Sequence, residues 1–194
     1  ALNQKEYREA ADGFLKLTKS LRTGRARDEI EWRASVIEYQ KLEKKDRSVD
    51  RMQRLVQRTP TTEVGAPQDT SYQRYFEDYA TMCYNLGLEN TQKRSWQKAY
   101  AYFLQASKIH WKGRSKCHFE IAKITQNNPD MVIEHCKEAR KNEGALSMDE
   151  RRQLYQLLSV AYLKKGQSLE AKKTREEWIH LQKGSRKDAY SQSF

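Results

Sequence analysis

The chain has 194 residues, 32% of them charged and 37% hydrophobic, and its 37 Lys and Arg against 26 Asp and Glu give a formal net charge of +11. With only 8 Gly and 3 Pro it cannot punctuate a many-stranded sandwich or barrel, and no apolar run approaches the roughly 18–20 residues of a membrane span. The 11 Tyr, 5 Phe and 4 Trp exceed what a disordered tail carries, so the composition implies a largely helical protein with a packed core.

At the N-terminus, Tyr7, Ala10, Ala11, Phe14, Leu15 and Leu17 recur at three- and four-residue steps and predict a first helix that stops at Gly24. Asp28 followed by Glu31 has the spacing of a capping box and predicts a second helix running to about Arg58. Within it Leu42, Val49 and Val56 recur every seven residues, which would suit a short coiled-coil seam and self-assembly, although Lys45 interrupts it. The acid-free stretch from Phe14 to Arg27 carries Lys16, Lys19, Arg22, Arg25 and Arg27. It reads either as a solvated helix end complementing the helix dipole or as an anion-binding arm for nucleic acid, acidic lipid or an acidic protein face. Residues 1–58 are therefore expected to be basic N-terminal helices. Pro60, Gly65 and Pro67 then break the pattern, and residues 59–71 are expected to form an exposed, mobile loop.

After the loop the apolar pattern comes in pairs. Tyr75, Phe76, Tyr79, Ala80, Cys83 and Leu86 predict one helix, and Ala99, Phe103, Leu104, Ala106 and Ile109 its partner, ending at Gly113. Phe119, Ile121, Ala122 and Ile124 mark the next. Asn128 and Pro129 give an N-cap and first-turn signal for a helix that closes near Gly144. Ser147 with Glu150 forms another capping-box signature, Gly166 marks a tight turn, and a last helix bears Leu169, Ala171, Trp178 and Ile179 before stopping at Gly184. Residues 72–184 are expected as one repeat domain and residues 185–194 as a flexible tail.

The run Tyr155-x-x-Leu158-Ser159-x-x-Tyr162, then Gly166 and Ala171, resembles the tetratricopeptide repeat. Large residues would fill the groove between two antiparallel helices, while Ser159 and Ala171 let the backbones approach. The sequence departs from the pattern at Arg175, where the family usually has Phe, and Trp178 is the expected substitute. Ala99-x-x-x-Phe103-x-x-Ala106 matches the other half of the pattern. Between Phe119 and Ala139 the match is degenerate, with Val132 and Cys136 in place of Ala and Phe. The resemblance covers roughly residues 72–183 as about three repeats. It implies an all-α fold of antiparallel helix pairs stacked as a superhelix, with an N-terminal helical pair.

It also implies binding in a groove lined by the first helix of each pair. By that alignment the groove would present Arg74, Glu77, Thr81 and Tyr84, then Arg114, Cys117, Ile121 and Ile124, then Gln153, Gln156, Val160 and Lys164. Thr81, Ile121 and Val160 stand where one subclass of the family places Asn for clamping chaperone C-termini, so the resemblance does not imply that ligand.

Catalytic signatures are lacking: no Gly-rich phosphate loop, G-x-S-x-G or H-E-x-x-H occurs. Cys117-His118 and His135-Cys136 form a mirrored pair, but neighbours on a helix point about 100° apart, so the four could not readily face one metal ion. No metal or cofactor is expected. Cys83, Cys117 and Cys136 are an odd, widely spaced set that fits a reducing, cytoplasmic location, with a processed exported protein as the alternative. The expected function is a non-enzymatic protein–protein interaction scaffold or adaptor in a larger assembly. Its partner would be a protein with an acidic or mixed apolar and acidic surface. A nucleic-acid-binding adaptor and a self-assembling structural component, a homo-oligomer, are the alternatives.

Overall fold

The computed structural model describes residues 3–63 and 65–191, with side chains through 182. Among the described residues the fold is all-α, with nine α-helices in sequential antiparallel pairs. The chain forms two compact units, Ala1–Trp111 and Lys112–Phe194. The division falls after Trp111 and not at the 59–71 loop, which lies inside the first unit together with the N-terminal helices.

The first unit contains α1 (Gln4–Ser20), α2 (Arg25–Lys41), α3 (Lys45–Arg58), α4 (Gln73–Gln92) and α5 (Trp96–Ser107), with a 3-10 turn at Thr70–Tyr72 before α4. A complete capping box opens α1: the Asn3 side chain accepts from the Lys5 and Glu6 amides, and Glu6 reaches back to the Asn3 amide. The apolar face expected there is buried at Ala11, but Leu17 stays 50% exposed.

The second predicted helix is in fact two. The chain turns at Glu43, whose φ is +54°, and α3 folds back on α2. The cause lies outside the local pattern. Glu38 is fully buried, and its carboxylate takes a 2.6 Å hydrogen bond from Arg51 of α3, with Lys44 and Arg47 each 3.8 Å away. A carboxylate removed from water is strongly unfavourable unless a cation is brought to it, and only the hairpin brings Arg51. Leu42 accordingly sits at the C-cap of α2 while Val49 and Val56 are buried on α3, so no single helix carries the seven-residue seam.

The start of α2 also differs. Gly24, at φ +143°, is its N-cap, and Asp28 lies in the first turn. Asp28 accepts from Tyr72 Oη at 2.9 Å and from Arg58, and Glu31 accepts from Arg27 at 3.2 Å and Arg58 at 2.7 Å. The two acids fasten α2 to later segments instead of forming a capping box.

The 59–71 segment is fixed at several points. Thr61 and Pro67 form a bridge, Thr62 donates to the Ala66 carbonyl at 2.7 Å, and Gln68 donates to Pro60 at 3.0 Å. At its tip the His110 amide donates to the Gly65 carbonyl at 3.2 Å.

The second unit contains α6 (Arg114–Ile124), α7 (Pro129–Arg140), α8 (Met148–Lys164) and α9 (Ser168–Ser191), with a 3-10 turn at Glu143–Ala145. Local signals set its boundaries. Asn128 caps the Met131 amide with Pro129 behind it, and Ser147 and Glu150 make a reciprocal capping box. Gly166 turns the chain at φ +72°. Phe119, Ala122, Val132, Cys136, Ala139, Leu154 and Leu158 form the core. The last helix continues through the expected stop at Gly184, and the final part of the expected tail, residues 192–194, lies outside the described residues. Ser159 and Ala171 meet as the repeat resemblance implies: both are buried, and Ser159 Oγ lies 3.4 Å from the Ala171 carbonyl oxygen.

Gly65 has a φ of +79°, and a Cβ there would fall 2.1 Å from the Lys108 carbonyl oxygen. Replacing it by Ala combines the left-handed backbone cost with a backbone clash, so Gly65→Ala should destabilise the first unit by roughly 2–4 kcal/mol. Gly13, inside α1 with open space around it, is the control, and Gly13→Ala should be neutral or stabilising by up to about 1 kcal/mol. Denaturant midpoints of the two variants check both signs.

Candidate partner-binding face

The three sets of predicted groove residues have different fates. On α4, the Arg74 guanidinium sits 4.6 Å over the Trp32 ring, Glu77 accepts from Gln73, and Tyr84 is half-buried against Phe103 and Trp111. Arg74, Glu77 and Thr81 are all exposed. Trp32 itself stacks on Tyr75 at 5.2 Å, and its indole N–H donates to Asp78 at 2.8 Å. Part of the α4 face is therefore covered by α2 of the same chain. On α6, Arg114 and Ile124 are half-buried, whereas Cys117 and Ile121 are completely buried and present nothing to a partner.

On α8, all four predicted residues reach solvent: Gln153, Gln156, Val160 and Lys164. Val160 is 49% exposed, and Leu163, absent from the predicted set, is 43% exposed. No acid occurs from Arg151 to Leu169, a stretch that carries Arg151, Arg152, Lys164 and Lys165. Beside this face, α8 and α9 border a mainly apolar cleft of about 290 Å³, lined by Tyr155, Gln156, Ser159, Val160, Arg175, Trp178 and Ile179. Trp178, expected to fill the space left by the missing Phe, lies 5.7 Å from the Tyr155 ring but only borders the cleft, which stays open. The α9 wall, Arg175 and Ile179, was legible only as a gap in the repeat pattern.

The five basic residues proposed for anion binding do not form one site. Lys16 and Lys19 lie on the last turns of α1, Arg22 in the turn and Arg25 at the start of α2, all exposed. Arg27 points elsewhere and pairs with Glu31. It borders a cleft of about 510 Å³ with Asp28, Arg58 and Tyr72, but the Arg58 guanidinium there is held by Asp28 and Glu31.

The mirrored Cys–His pairs separate. Cys136 lies in the core of the second unit, where burial pushes its thiol up to about 12. The two histidines meet instead: His118 and His135 stack with Nδ1 atoms 3.0 Å apart, and His118 Nε2 is buried without a hydrogen-bond partner among the described residues. One Nδ1 must donate and the other accept, so at least the accepting ring is neutral. Among the described residues no group of three or more His, Cys, Asp or Glu converges as a metal site, and no helix is long and apolar enough to cross a membrane.

The chain matches no protein-family model and no curated protein. Among solved structures it is similar to a Podosopora anserina putative kinesin light chain with nearly identical TPR-like repeats. A point variant of that protein is 15% identical over 95% of this chain and 91% of that chain, with a TM-score of 0.44. The crystal structure without the substitution gives 17%, 94%, 90% and 0.42. The chain is also similar to BtubC (BKLC) from P. vanneervenii, at 16% identity over 93% of this chain and 75% of that chain, with a TM-score of 0.41.

The histidine pair makes the second unit sensitive to acid. Burial, then the neighbouring His135, then Arg114 and Lys141 lower the His118 pKa from its ordinary 6.5 to about 4, against the opposing charge of Glu138. Burial also lowers His135, opposed by Glu134 and Glu138. Between these values the unfolded chain binds the proton and the folded one does not. The stabilisation is therefore complete above about pH 6.5 and lost as pH falls toward 4, by about 3 kcal/mol for His118. Unfolding of the wild type at pH 7.5 and 4.5 should show this loss, and His118→Asn should flatten the difference.

Proposed function

We propose that this chain is a non-enzymatic protein-interaction adaptor that docks a partner on the exposed face of α8. The observation that carries the reading is the composition of that face. Val160 and Leu163 are among its most exposed large apolar side chains, and they stand in a stretch without an acid whose cations Arg151 and Lys164 bond only carbonyl oxygens, while Arg152 and Lys165 pair with Asp149 and Asp130. Solvent-exposed aliphatic residues beside one sign of charge suit a segment with apolar anchors and acidic flanks. The reading takes the last of the three expected sets, because Cys117 and Ile121 on α6 are buried and the exposed residues of the α4 set, Arg74, Glu77 and Thr81, offer no apolar side chain. Recovery of partners from an extract of the native source, with wild type and Val160→Asp/Leu163→Asp, tests this. At least one specific partner should fall more than tenfold while the melting temperature holds. An unchanged set of partners with an intact fold would count against the α8 face.

A second reading rests on Lys16, Lys19, Arg22 and Arg25, four exposed cations that make no ion pair among the described residues. They would neutralise nucleic-acid phosphates. If so, log affinity for duplex DNA falls with log salt at about 0.9 per phosphate contacted, and Arg22→Glu/Arg25→Glu lowers that slope by about 2 in a titration from 50 to 200 mM salt.

A further inference from the structure

At Arg175 the chain leaves the repeat pattern, and the packing of α8 on α9 changes with it. Ser159 and Ala171 bring α8 and α9 close, and one turn further along α9 the repeat pattern calls for a large aromatic residue to fill the angle between the helices. Arg175 stands there instead, exposed, with Nε donating to Ser159 Oγ at 2.9 Å. The angle stays open as the apolar cleft between α8 and α9. Its floor is Tyr155, only 4% exposed and held from behind by the Arg140 guanidinium at 4.9 Å and from the side by Trp178. Its rims are Val160 and Ile179, each about half exposed.

Among the described residues Arg175 is the single charged residue lining this cleft. It has no ion pair among the described residues, and the acids next to it on α9 are already engaged: Glu176 lies 3.9 Å from Lys172, and Glu177 accepts from Arg140 at 2.8 Å. A guanidinium at the wall of an apolar cleft keeps most of its donors for a carboxylate that arrives from outside. At about 290 Å³ the cleft lies at the floor of the range for small-molecule pockets, about 300–1,000 Å³, and suits one large side chain better than a whole ligand.

We infer that the cleft between α8 and α9 is the anchor seat of a protein partner, taking one aliphatic or aromatic side chain while a neighbouring Asp or Glu of the same segment pairs with Arg175. The inference rests on the adaptor reading above and adds the chemistry of the recognised segment. Charge complementarity selects the occupant: among the described residues the lining of the cleft offers Arg175 and apolar surface and no acid, and α8 adds Arg151 and Lys164, which bond only carbonyl oxygens.

The test is a selection of random 12-residue peptides displayed on phage against the full chain, followed by calorimetric titration of the enriched peptides. The seat predicts peptides that share a Leu, Ile, Phe or Trp within four residues of an Asp or Glu. Their affinity should fall at least tenfold on Ile179→Glu and on Arg175→Glu. Arg175→Gln serves as the milder variant, and melting curves check that each folds. Replacing the peptide carboxylate by its amide should remove most of the difference between wild type and Arg175→Gln. Peptides that bind the Ile179 and Arg175 variants as tightly as wild type, but lose binding to Val160→Asp/Leu163→Asp, would overturn the seat and leave the α8 face standing. Failure to enrich any peptide, or enrichment of basic peptides, would overturn both.

Discussion

The spacing of paired helices governs this molecule, and small residues set it. Two helices can approach closely only where one of them offers little side chain. In the α8–α9 pair that place is Ser159 against Ala171, where a side-chain oxygen reaches the backbone of the facing helix. In α4–α5 it is Gly87, where a Cβ would come within 2.5 Å of the Phe103 ring. The two pairs differ in the residue that fills the angle beside the close contact. Phe103 is fully buried and closes the angle between α4 and α5. On α9, four residues beyond the close contact, Arg175 cannot close the corresponding angle, because a guanidinium is too strongly hydrated to replace a phenyl ring in a core. A single position thus separates a sealed helix pair from one with an open apolar cleft.

In the first unit, polar and aromatic contacts of long sequence separation do comparable work. Trp32 stacks on Tyr75 and donates to Asp78, Tyr75 donates to Glu29, and Tyr72 donates to Asp28, so α2 is tied to α4 along several turns. Arg58 closes the network from α3 onto Asp28 and Glu31. Arg74 lies over the same indole with its side chain still exposed. The N-terminal helices are thus structural partners of α4, with Arg58 paired inside the network while Lys16, Lys19, Arg22 and Arg25 stay exposed.

What was legible in the sequence was what is decided locally. The Asn128-Pro129 start, the Ser147–Glu150 box and the Gly166 turn each depend on a few adjacent residues, and each forms as read. The break at Glu43 was not legible, because a non-Gly residue is held at positive φ there by a hairpin whose ion pair joins residues 38 and 51. Asp28 and Glu31 have capping-box spacing, yet the carboxylates are claimed by Tyr72 and Arg58 from far along the chain. The same limit applied to the site. The repeat alignment named Gln153, Gln156, Val160 and Lys164 as groove residues, and these are exposed, but it could not show that Cys117 and Ile121, at equivalent positions on α6, are wholly buried. The mirrored Cys–His dipeptides gave the right neighbours, since His118 and His135 meet, while the thiols turn away into the interior.

The net charge of +11 is best understood through what remains unpaired. Many of the cations are matched within the fold, as Arg51 is to Glu38, Arg58 to Asp28 and Glu31, and Arg140 to Glu177. Paired charges contribute little to long-range attraction, so steering falls to the unmatched ones. On the second unit these include Arg175, with Arg151 and Lys164 bound only to carbonyl oxygens. Their charge is therefore not cancelled, and it raises the encounter rate with acidic segments while disfavouring basic ones. Charge alone would leave such encounters weak at physiological salt, where fields between exposed groups decay over roughly 8 Å. Lasting contact requires burial of apolar surface. The open angle above Tyr155 provides it next to the unmatched guanidinium, so selection by charge and retention by burial coincide at one place on the chain.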